Sequence, residues 1–204
     1  MEPIEKLHQL RIESWQIKGM LWEQSFFTFP WLLIAVVIAT SYFIWWKLAD
    51  KRRIVELLLY GSFIAVCRVI FDNWGISSGR WTYTTDLFPM GYSLFLNDLT
   101  VIPLSLMLVY QYAFNWRSFF LMLIVVQGLT SFLLWPLLSS FDVLKVHDWK
   151  LYYSYLFMIF IASIMRLIMI AGLKLQRESR LNDSQYGEKL FIPEPAMKRL
   201  DDEE

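Results

Sequence analysis

Four polar side chains interrupt two apolar stretches of this sequence, and they are its best candidates for chemistry. Arg68 and Asp72 lie four residues apart in one stretch, and Asn97 and Asp98 begin the next. Charged side chains are costly inside a membrane helix, so they usually face a partner charge or mark a ligand site. A carboxyl group there could act as a general acid, and a guanidinium could neutralise that carboxyl group. The spacing therefore indicates a site but not a particular reaction.

A short loop rich in glycine and aromatic residues joins the two stretches. Glycine lets the chain turn, and tryptophan and tyrosine are enriched where a protein meets the membrane interface. We therefore expect the loop to cover the polar residues near one membrane surface. The predicted binding cluster consists of Arg68, Asp72, Asn97, Asp98, Arg80, Trp81 and Tyr83, and the loop also contains Gly75, Gly79, Asp86 and Tyr92.

The composition argues against several classes of protein. Of 204 residues, 56% are hydrophobic and 18% are aromatic, which is more apolar than an ordinary soluble domain. Basic and acidic residues number 19 each, so no overall charge favours nucleic acid as a partner. We find no nucleophile–base pair, phosphate-binding loop or set of metal ligands, and the sequence therefore implies neither a metal nor a cofactor. The single cysteine, Cys67, cannot form an intramolecular disulfide.

Long apolar runs predict an all-α, polytopic membrane bundle with five transmembrane helices. The predicted spans are about 26–47, 54–72, 92–112, 118–138 and 151–173, within a transmembrane domain of residues 26–173. Residues 1–25 have the pattern of an amphipathic helix lying in the membrane interface. Residues 139–150 are expected to be a connector, and residues 174–204 a polar, largely disordered tail. Pro103 lies within the third predicted span and should kink it.

The distribution of basic residues predicts the orientation. Five spans put the termini on opposite sides of the membrane, and the side of the C-terminus would hold eleven lysines and arginines against six on the other side. Basic residues favour the cytoplasmic side. We therefore expect the N-terminus outside and the C-terminus in the cytoplasm.

The rise of an α-helix, ~1.5 Å per residue, places the candidate charges at definite depths. If the second span starts near Ile54 at the cytoplasmic side, Arg68 lies ~21 Å and Asp72 ~27 Å into a hydrocarbon core that is ~30 Å thick. Asp98 then lies ~9 Å below the outer surface on the next span. Arg68 and Asp98 share nearly the same depth, which predicts an ion pair between the two helices.

Three further polar residues lie inside predicted spans and are interpreted as structural. Arg166 should lie ~22 Å below the outer surface, where it can extend to the cytoplasmic interface or donate to Gln111 and Tyr110. An offset of ~13 Å rules out a bond from Arg166 to Asp98. Gln127 stands alone in the fourth span and is expected to form an interhelical hydrogen bond.

Several short motifs between about residues 31 and 149 resemble one family of proteins. They are Trp45-Trp46-Lys47, Lys51-Arg52-Arg53, Asp72 with Gly79 to Tyr83, Asn97-Asp98, Ile102-Pro103, the run 107–112 and Trp116. This arrangement resembles a family of small, uncharacterised multi-pass membrane proteins of spore-forming Gram-positive bacteria. The resemblance implies a bacterial cytoplasmic membrane protein with a role in sporulation or the cell envelope, and it implies no established activity.

A smaller set of residues is similar to the small membrane lycopene cyclases, in which acidic residues protonate an apolar polyene. The set is Asp72, Gly79, Trp81, Tyr83 and Asp98, while Asn97-Asp98 stands where those enzymes carry paired glutamates. This likeness implies an enzyme acting on an isoprenoid-type lipid, with Asp98 or Asp72 as the general acid. The neighbouring Arg68 argues against it, because a cation favours the ionised carboxylate.

Three functions follow from these observations, in descending order. The first is a non-enzymatic component of the lipid bilayer that binds a lipid or a membrane-protein partner. The second is the cyclase-like enzyme. The third is a transporter subunit, which ranks last because we find no internal repeat. The polar cluster itself has three interpretations: an ion pair that only fixes helix packing, a ligand site, or a partner contact.

Overall fold

The computed structural model describes the backbone of residues 3–89 and 97–190 and the side chains of residues 3–89 and 98–179. The described residues form seven α-helices and two short strands. In chain order they are α1 (Pro3–Ser25), α2 (Phe29–Leu48), α3 (Ile54–Ser77), β1 (Trp81–Tyr83), α4 (Ile102–Tyr112), α5 (Trp116–Leu129), α6 (Trp135–Ser140), β2 (Leu144–Val146) and α7 (Leu151–Leu190). A 3₁₀ turn (Lys51–Arg53) leads into α3, and π-helical segments precede α4 (Asn97–Val101) and join α5 to α6 (Thr130–Leu134).

Four described helices are long and apolar enough to cross a membrane, which agrees with a membrane-embedded helical bundle. They are Phe29–Leu48, Lys51–Ser77, Trp116–Ser140 and Leu151–Ser179. Of the third predicted span, the structure describes the π-helical segment and α4, and the predicted start at Tyr92 lies outside the described residues. The predicted end of the second span is wrong, because α3 continues five residues beyond Asp72, to Ser77.

A small antiparallel sheet, which the prediction did not include, accompanies the helices. β1 pairs with β2, with Trp81 opposite Val146 and Tyr83 opposite Leu144. Residues 144–146 are therefore a strand within the predicted connector. Such a pairing joins segments more than 60 residues apart, and neither three-residue strand carries a strong local signal. We call the end of the bundle that carries β1 and β2 the ribbon end.

The helices pack around α3 and α4. α3 contacts α4, and α4 contacts α2 and α5. Below the ribbon, buried residues of α2, α3, α6 and both strands form a hydrophobic core. Its fully or nearly fully buried members are Ile34, Phe71, Trp81, Tyr83, Trp135, Leu138, Val143 and Leu144.

The structure divides the chain into two units, Met1–Arg166 and Leu167–Glu204. In the second unit, α7 continues as a helix to Leu190, so the predicted disorder is wrong for residues 174–190. This stretch is rich in Lys, Leu, Arg and Glu, which favour helix, and Lys174 lies 3.9 Å from Glu178. Residues 191–204 lie outside the described part. The predicted N-terminal helix is present as α1, and none of its described residues is buried.

Candidate functional site

The site begins where glycine ends α3. Gly79 has a φ of 73°, the left-handed conformation that glycine adopts without strain. Its N–H donates to Ile76 O (3.0 Å), and the N–H of Arg80 donates to Gly75 O (2.9 Å). These two bonds are those of a Schellman motif, which satisfies the last carbonyls of the helix and turns the chain back. The turn directs the following strand across the end of α3.

The alternation of β1 sends two aromatic side chains inward. Trp81 and Tyr83 are buried, while Thr82 is exposed and lies 3.2 Å from His147 Nε2. Trp81 Nε1 donates to Asp72 Oδ1 (3.0 Å), and the Tyr83 hydroxyl donates to the same oxygen (2.7 Å). Asp72 is therefore held from above by the strand that follows its own helix.

Gly75 makes this arrangement possible. It lies on α3 directly beneath the Trp81 ring, and a Cβ atom at position 75 would overlap three atoms of that ring. The indole can thus reach Asp72 only because residue 75 has no side chain.

Arg68 joins two carboxylates in the interior. Its Nε lies 2.8 Å from Asp98 Oδ1, and its Nη2 lies 3.7 Å from Asp72 Oδ1. All three residues have no exposed surface. The guanidinium also lies 5.4 Å and 5.5 Å from the ring centroids of Phe71 and Trp135. The predicted pair between Arg68 and Asp98 is thus present, and we call Arg68, Asp72, Asp98, Trp81 and Tyr83 the Asp cluster.

The Asp cluster contains two carboxyl groups for one guanidinium. Asp72 Oδ2 is buried and has no hydrogen-bond partner among the described residues. Burying a carboxylate oxygen without a hydrogen-bond donor is costly in a medium of low dielectric. Asn97 begins the π-helical segment before Asp98, but its side chain lies outside the described part.

Arg80, a predicted member of the cluster, does not join it. Its guanidinium carbon lies 4.7 Å from the ring centroid of Trp74 and 5.1 Å from that of Trp149. The two indoles are nearly perpendicular, with centroids 5.6 Å apart. Arg80 thus occupies an aromatic corner at the ribbon end.

Both π-helical segments immediately precede a helix whose second residue is proline. Pro103 cannot donate to Leu99 O, the carbonyl four residues earlier. That carbonyl accepts instead from the hydroxyl of Tyr42 on α2 (3.2 Å). Close to Pro103, where we predicted a kink, the structure has a π-helical segment, Asn97–Val101. Pro136 follows Thr130–Leu134 in the same way.

A second polar cluster, which the sequence did not predict, lies near the start of α3. Arg53 donates to Glu56 through Nη2 (2.7 Å), and the Tyr110 hydroxyl donates to the same carboxylate (2.6 Å). Tyr60 stacks on Tyr110 with ring centroids 4.5 Å apart, and its hydroxyl donates to Ala162 O (3.2 Å). We call Arg53, Glu56, Tyr60 and Tyr110 the Tyr cluster.

The predicted partners of Arg166 are wrong. Its Nη2 donates to Ala113 O (3.0 Å), and its guanidinium lies 5.0 Å and 4.3 Å from the ring centroids of Trp116 and Phe119. Helix rise fixes depth but not rotation about the axis, so it could not distinguish these partners from Gln111 and Tyr110.

Gln111 instead fastens α4 to the end of α2. Its Nε2 donates to Leu48 O (2.9 Å), and its Oε1 accepts from the N–H of Asp50 (2.8 Å). The Tyr112 hydroxyl also donates to Leu48 O (3.1 Å). The free carbonyl at the end of α2 is thereby satisfied.

The interhelical bond predicted for Gln127 is also not the one observed. Gln127 is fully buried, and its Oε1 accepts from Thr130 Oγ1 at 3.5 Å, within the same continuous helix. Its Nε2 has no hydrogen-bond partner among the described residues.

Two tryptophans fasten the loop after β1. Trp22 of α1 and Trp31 of α2 both donate to Leu87 O, at 3.1 Å and 3.2 Å. Beside this carbonyl, burial raises the pKa of Asp86 to about 6; Lys18 opposes the shift and Asp72 adds to it.

An apolar groove of about 490 Å³ lies between α4 and α5. Its lining consists of Ser105, Leu108, Val109, Tyr112, Leu121, Met122, Val125 and Val126. Several of these side chains are exposed in the isolated chain, so the groove opens toward the surroundings of the bundle.

Across the described ranges, 3–89 and 97–190, no group of three His, Cys, Asp or Glu side chains could hold a metal ion. Comparisons with protein-family models, with curated proteins and with solved structures found no match to this chain.

Proposed function

We propose that this chain is a non-enzymatic membrane protein with five spans that binds the hydrocarbon chain of a lipid in the groove between α4 and α5. The observation that carries the proposal is the groove itself, whose lining is almost entirely apolar. Its volume of about 490 Å³ lies within the range of roughly 300–1,000 Å³ that is common for small-molecule sites. An apolar surface at membrane depth suits an acyl or isoprenoid chain better than any soluble ligand.

Contacts at the two ends of α2 support five spans. Trp31, near the start of α2, donates to Leu87, whereas Leu48, at its end, accepts from Gln111. The 20 residues of α2 span ~30 Å. The chain therefore has to travel the length of α2 between residues 87 and 111, as a membrane-crossing segment would.

The proposed orientation places the ribbon end outside and the turn between α4 and α5 in the cytoplasm. The basic run Lys51–Arg53 and Arg117 supports it. A membrane-impermeant maleimide should label Lys145→Cys in intact cells and should not label Arg117→Cys. The reverse pattern would invert the orientation, and labelling of both positions would contradict five spans.

The geometry of the Asp cluster supports a non-enzymatic role. Arg68 and both carboxylates are fully buried, and Asp72 Oδ1 already accepts from Trp81 and Tyr83. These contacts suit an interior that fixes helix packing. The cyclase-like enzyme stays as a second candidate because Asp72 is one of the two general acids that the resemblance implies, and its Oδ2 has no hydrogen-bond partner among the described residues.

Photo-crosslinking tests the groove. The protein is reconstituted with a phospholipid that carries a diazirine in one acyl chain, and the crosslinked residues are mapped by mass spectrometry. We expect crosslinks to concentrate on residues 105–112 and 121–126. Val125→Trp should fill the groove and remove most of them. Val66→Trp is the matched control, since residues 66 and 125 are 58% and 59% exposed and Val66 does not line the groove.

Three outcomes would decide against lipid binding in the groove. Crosslinks spread evenly over all exposed helix faces would show ordinary solvation by the bilayer. Equal loss in Val125→Trp and Val66→Trp would show that the variants act through folding. A protein that copurifies stoichiometrically and shields residues 121–126 would identify a partner in place of a lipid. If the unaltered protein forms a lipid product and Asp72→Asn does not, the cyclase-like enzyme would become the favoured function in place of lipid binding.

A further inference from the structure

Among the described residues, the guanidinium of Arg80 has no acceptor. Its Nε is buried and has no hydrogen-bond partner there, and no described carboxylate lies within ion-pair distance of the side chain. Its described side-chain contacts are the rings of Trp74 and Trp149. Aromatic rings attract the cation, but they offer no lone pairs in the guanidinium plane.

The other two guanidiniums with enclosed N–H groups differ in this respect. Arg68 reaches two carboxylates, and Arg166 donates to the carbonyl of Ala113. Arg53, which is more exposed, reaches Glu56 through two nitrogens. Among these four described arginines, Arg80 is thus the one whose guanidinium has no acceptor in the described part of the protein. Its side chain is partly exposed, whereas the other three bond to groups of the bundle.

The backbone holds Arg80 in a fixed position. Its N–H completes the Schellman motif through Gly75 O, and its C=O accepts from the N–H of His147 (2.8 Å). The residue therefore lies between a helix end and a strand pair, and its side chain is positioned before any ligand arrives. Such preorganisation lowers the entropy lost on binding.

The location and chemistry together identify a ligand class. Arg80 follows the end of one candidate span by three residues, and Trp149 precedes another by two, so the aromatic corner lies at the level of lipid headgroups. A guanidinium presents N–H groups in a plane that matches two oxygens of a phosphate. We propose that Arg80, held by Trp74 and Trp149, binds the phosphate of a lipid headgroup at the ribbon end. This site is separate from the groove, and either proposal can fail while the other stands.

The test measures binding of phosphatidic acid to the full-length protein in phosphatidylcholine nanodiscs, by native mass spectrometry of retained lipid. We expect Arg80→Gln to weaken retention of phosphatidic acid about tenfold, which corresponds to ~1.4 kcal/mol. Lys145→Gln is the matched control, because it removes one positive charge at the same end from a side chain that is 58% exposed. This control should bind as the unaltered protein does.

Arg80→Lys protects the test against a folding failure. Lysine keeps the charge but loses the planar fork, so we expect an intermediate loss of binding with an unchanged melting temperature.

Inorganic phosphate distinguishes the source of the ligand. If it binds without lipid and competes with phosphatidic acid, the phosphate site stands and its ligand is soluble. Retention that is unchanged in Arg80→Gln, or reduced equally in Lys145→Gln, would overturn the proposal.

Discussion

The Asp cluster and the Tyr cluster lie on the same helix but handle buried charge in opposite ways. Glu56 and Arg68 are twelve positions apart on α3, or ~18 Å. In the Asp cluster, two carboxylates face one fully buried guanidinium. In the Tyr cluster, one carboxylate accepts from an arginine whose side chain is 41% exposed and from Tyr110. Water can therefore compensate changes in the Tyr cluster, whereas the fully buried Asp cluster depends on protein groups.

The largest expected effect is that of removing Arg68. Arg68→Gln leaves two carboxylates buried without their cation, and breaking such a pair typically costs about 3–5 kcal/mol. We expect a marked loss of protein from the membrane, measured by immunoblot of membrane fractions. The double variant Arg68→Gln/Asp98→Asn should recover much of that loss. If the double variant recovers nothing, the unpaired carboxylate charge is not the cause of the loss, and the two clusters would not differ in the way described above.

Alanine substitutions at two glycines of α3 test how tightly the side chains pack near each cluster. Gly75→Ala drives a methyl group into the Trp81 ring, which is fixed by its bond to Asp72, and overpacking of this kind costs about 1–3 kcal/mol. Gly61→Ala meets the flexible end of Met107 instead. Thermal unfolding in detergent should show a clearly larger drop in melting temperature for Gly75→Ala. Equal drops would mean that the indole moves as readily as a methionine.

Removing the carboxylate of the Tyr cluster should have a smaller effect. Glu56→Gln weakens two hydrogen bonds but leaves Arg53 in contact with water, so we expect a loss of about 1 kcal/mol in the free energy of unfolding. Urea denaturation in micelles measures it, with Arg68→Gln as the reference. A loss as large as that of Arg68→Gln would show that Glu56 is as isolated from water as the Asp cluster.

The last prediction concerns Asp86 and depends on pH. Burial raises the pKa of Asp86 from 3.8 to about 6, so the folded state binds its proton more tightly than the unfolded state does. The stabilisation from this group is present below pH 3.8 and is lost as pH rises through about 6. Asp86→Asn should therefore raise the melting temperature at pH 8 and change little at pH 4. An equal gain at both pH values would show that the ionisation of Asp86 is not involved.

The Asp cluster shows which relations the sequence could predict. The pairing of Arg68 with Asp98 requires only that two helices cross at a shared depth, and the rise of a helix supplies that. The hydrogen bonds from Trp81 and Tyr83 to Asp72 could not be predicted, because they depend on the Schellman motif and on pairing with a strand more than 60 residues away. Non-local pairing of short strands leaves little trace in local sequence.

The Tyr cluster shows what the sequence could not predict. Arg53 and Glu56 are three residues apart at the start of a helix, a spacing that is typical of a solvated surface pair. Nothing local indicates that Tyr110, 54 residues later, donates to that carboxylate. The same limit affected Arg166, whose depth was predictable but whose direction was not. Likewise, nothing local indicates that Trp74 and Trp149, 75 residues apart, both contact Arg80.

The bond from Tyr42 to Leu99 O has a mechanical consequence. Pro103 removes the usual donor for that carbonyl, and within hydrocarbon an unsatisfied carbonyl costs several kcal/mol. Sliding α2 along α4 by even one turn would separate the hydroxyl of Tyr42 from this carbonyl. Shear between these two helices is therefore opposed at this carbonyl as well as at Leu48 O, where Gln111 and Tyr112 fasten α4 to the end of α2.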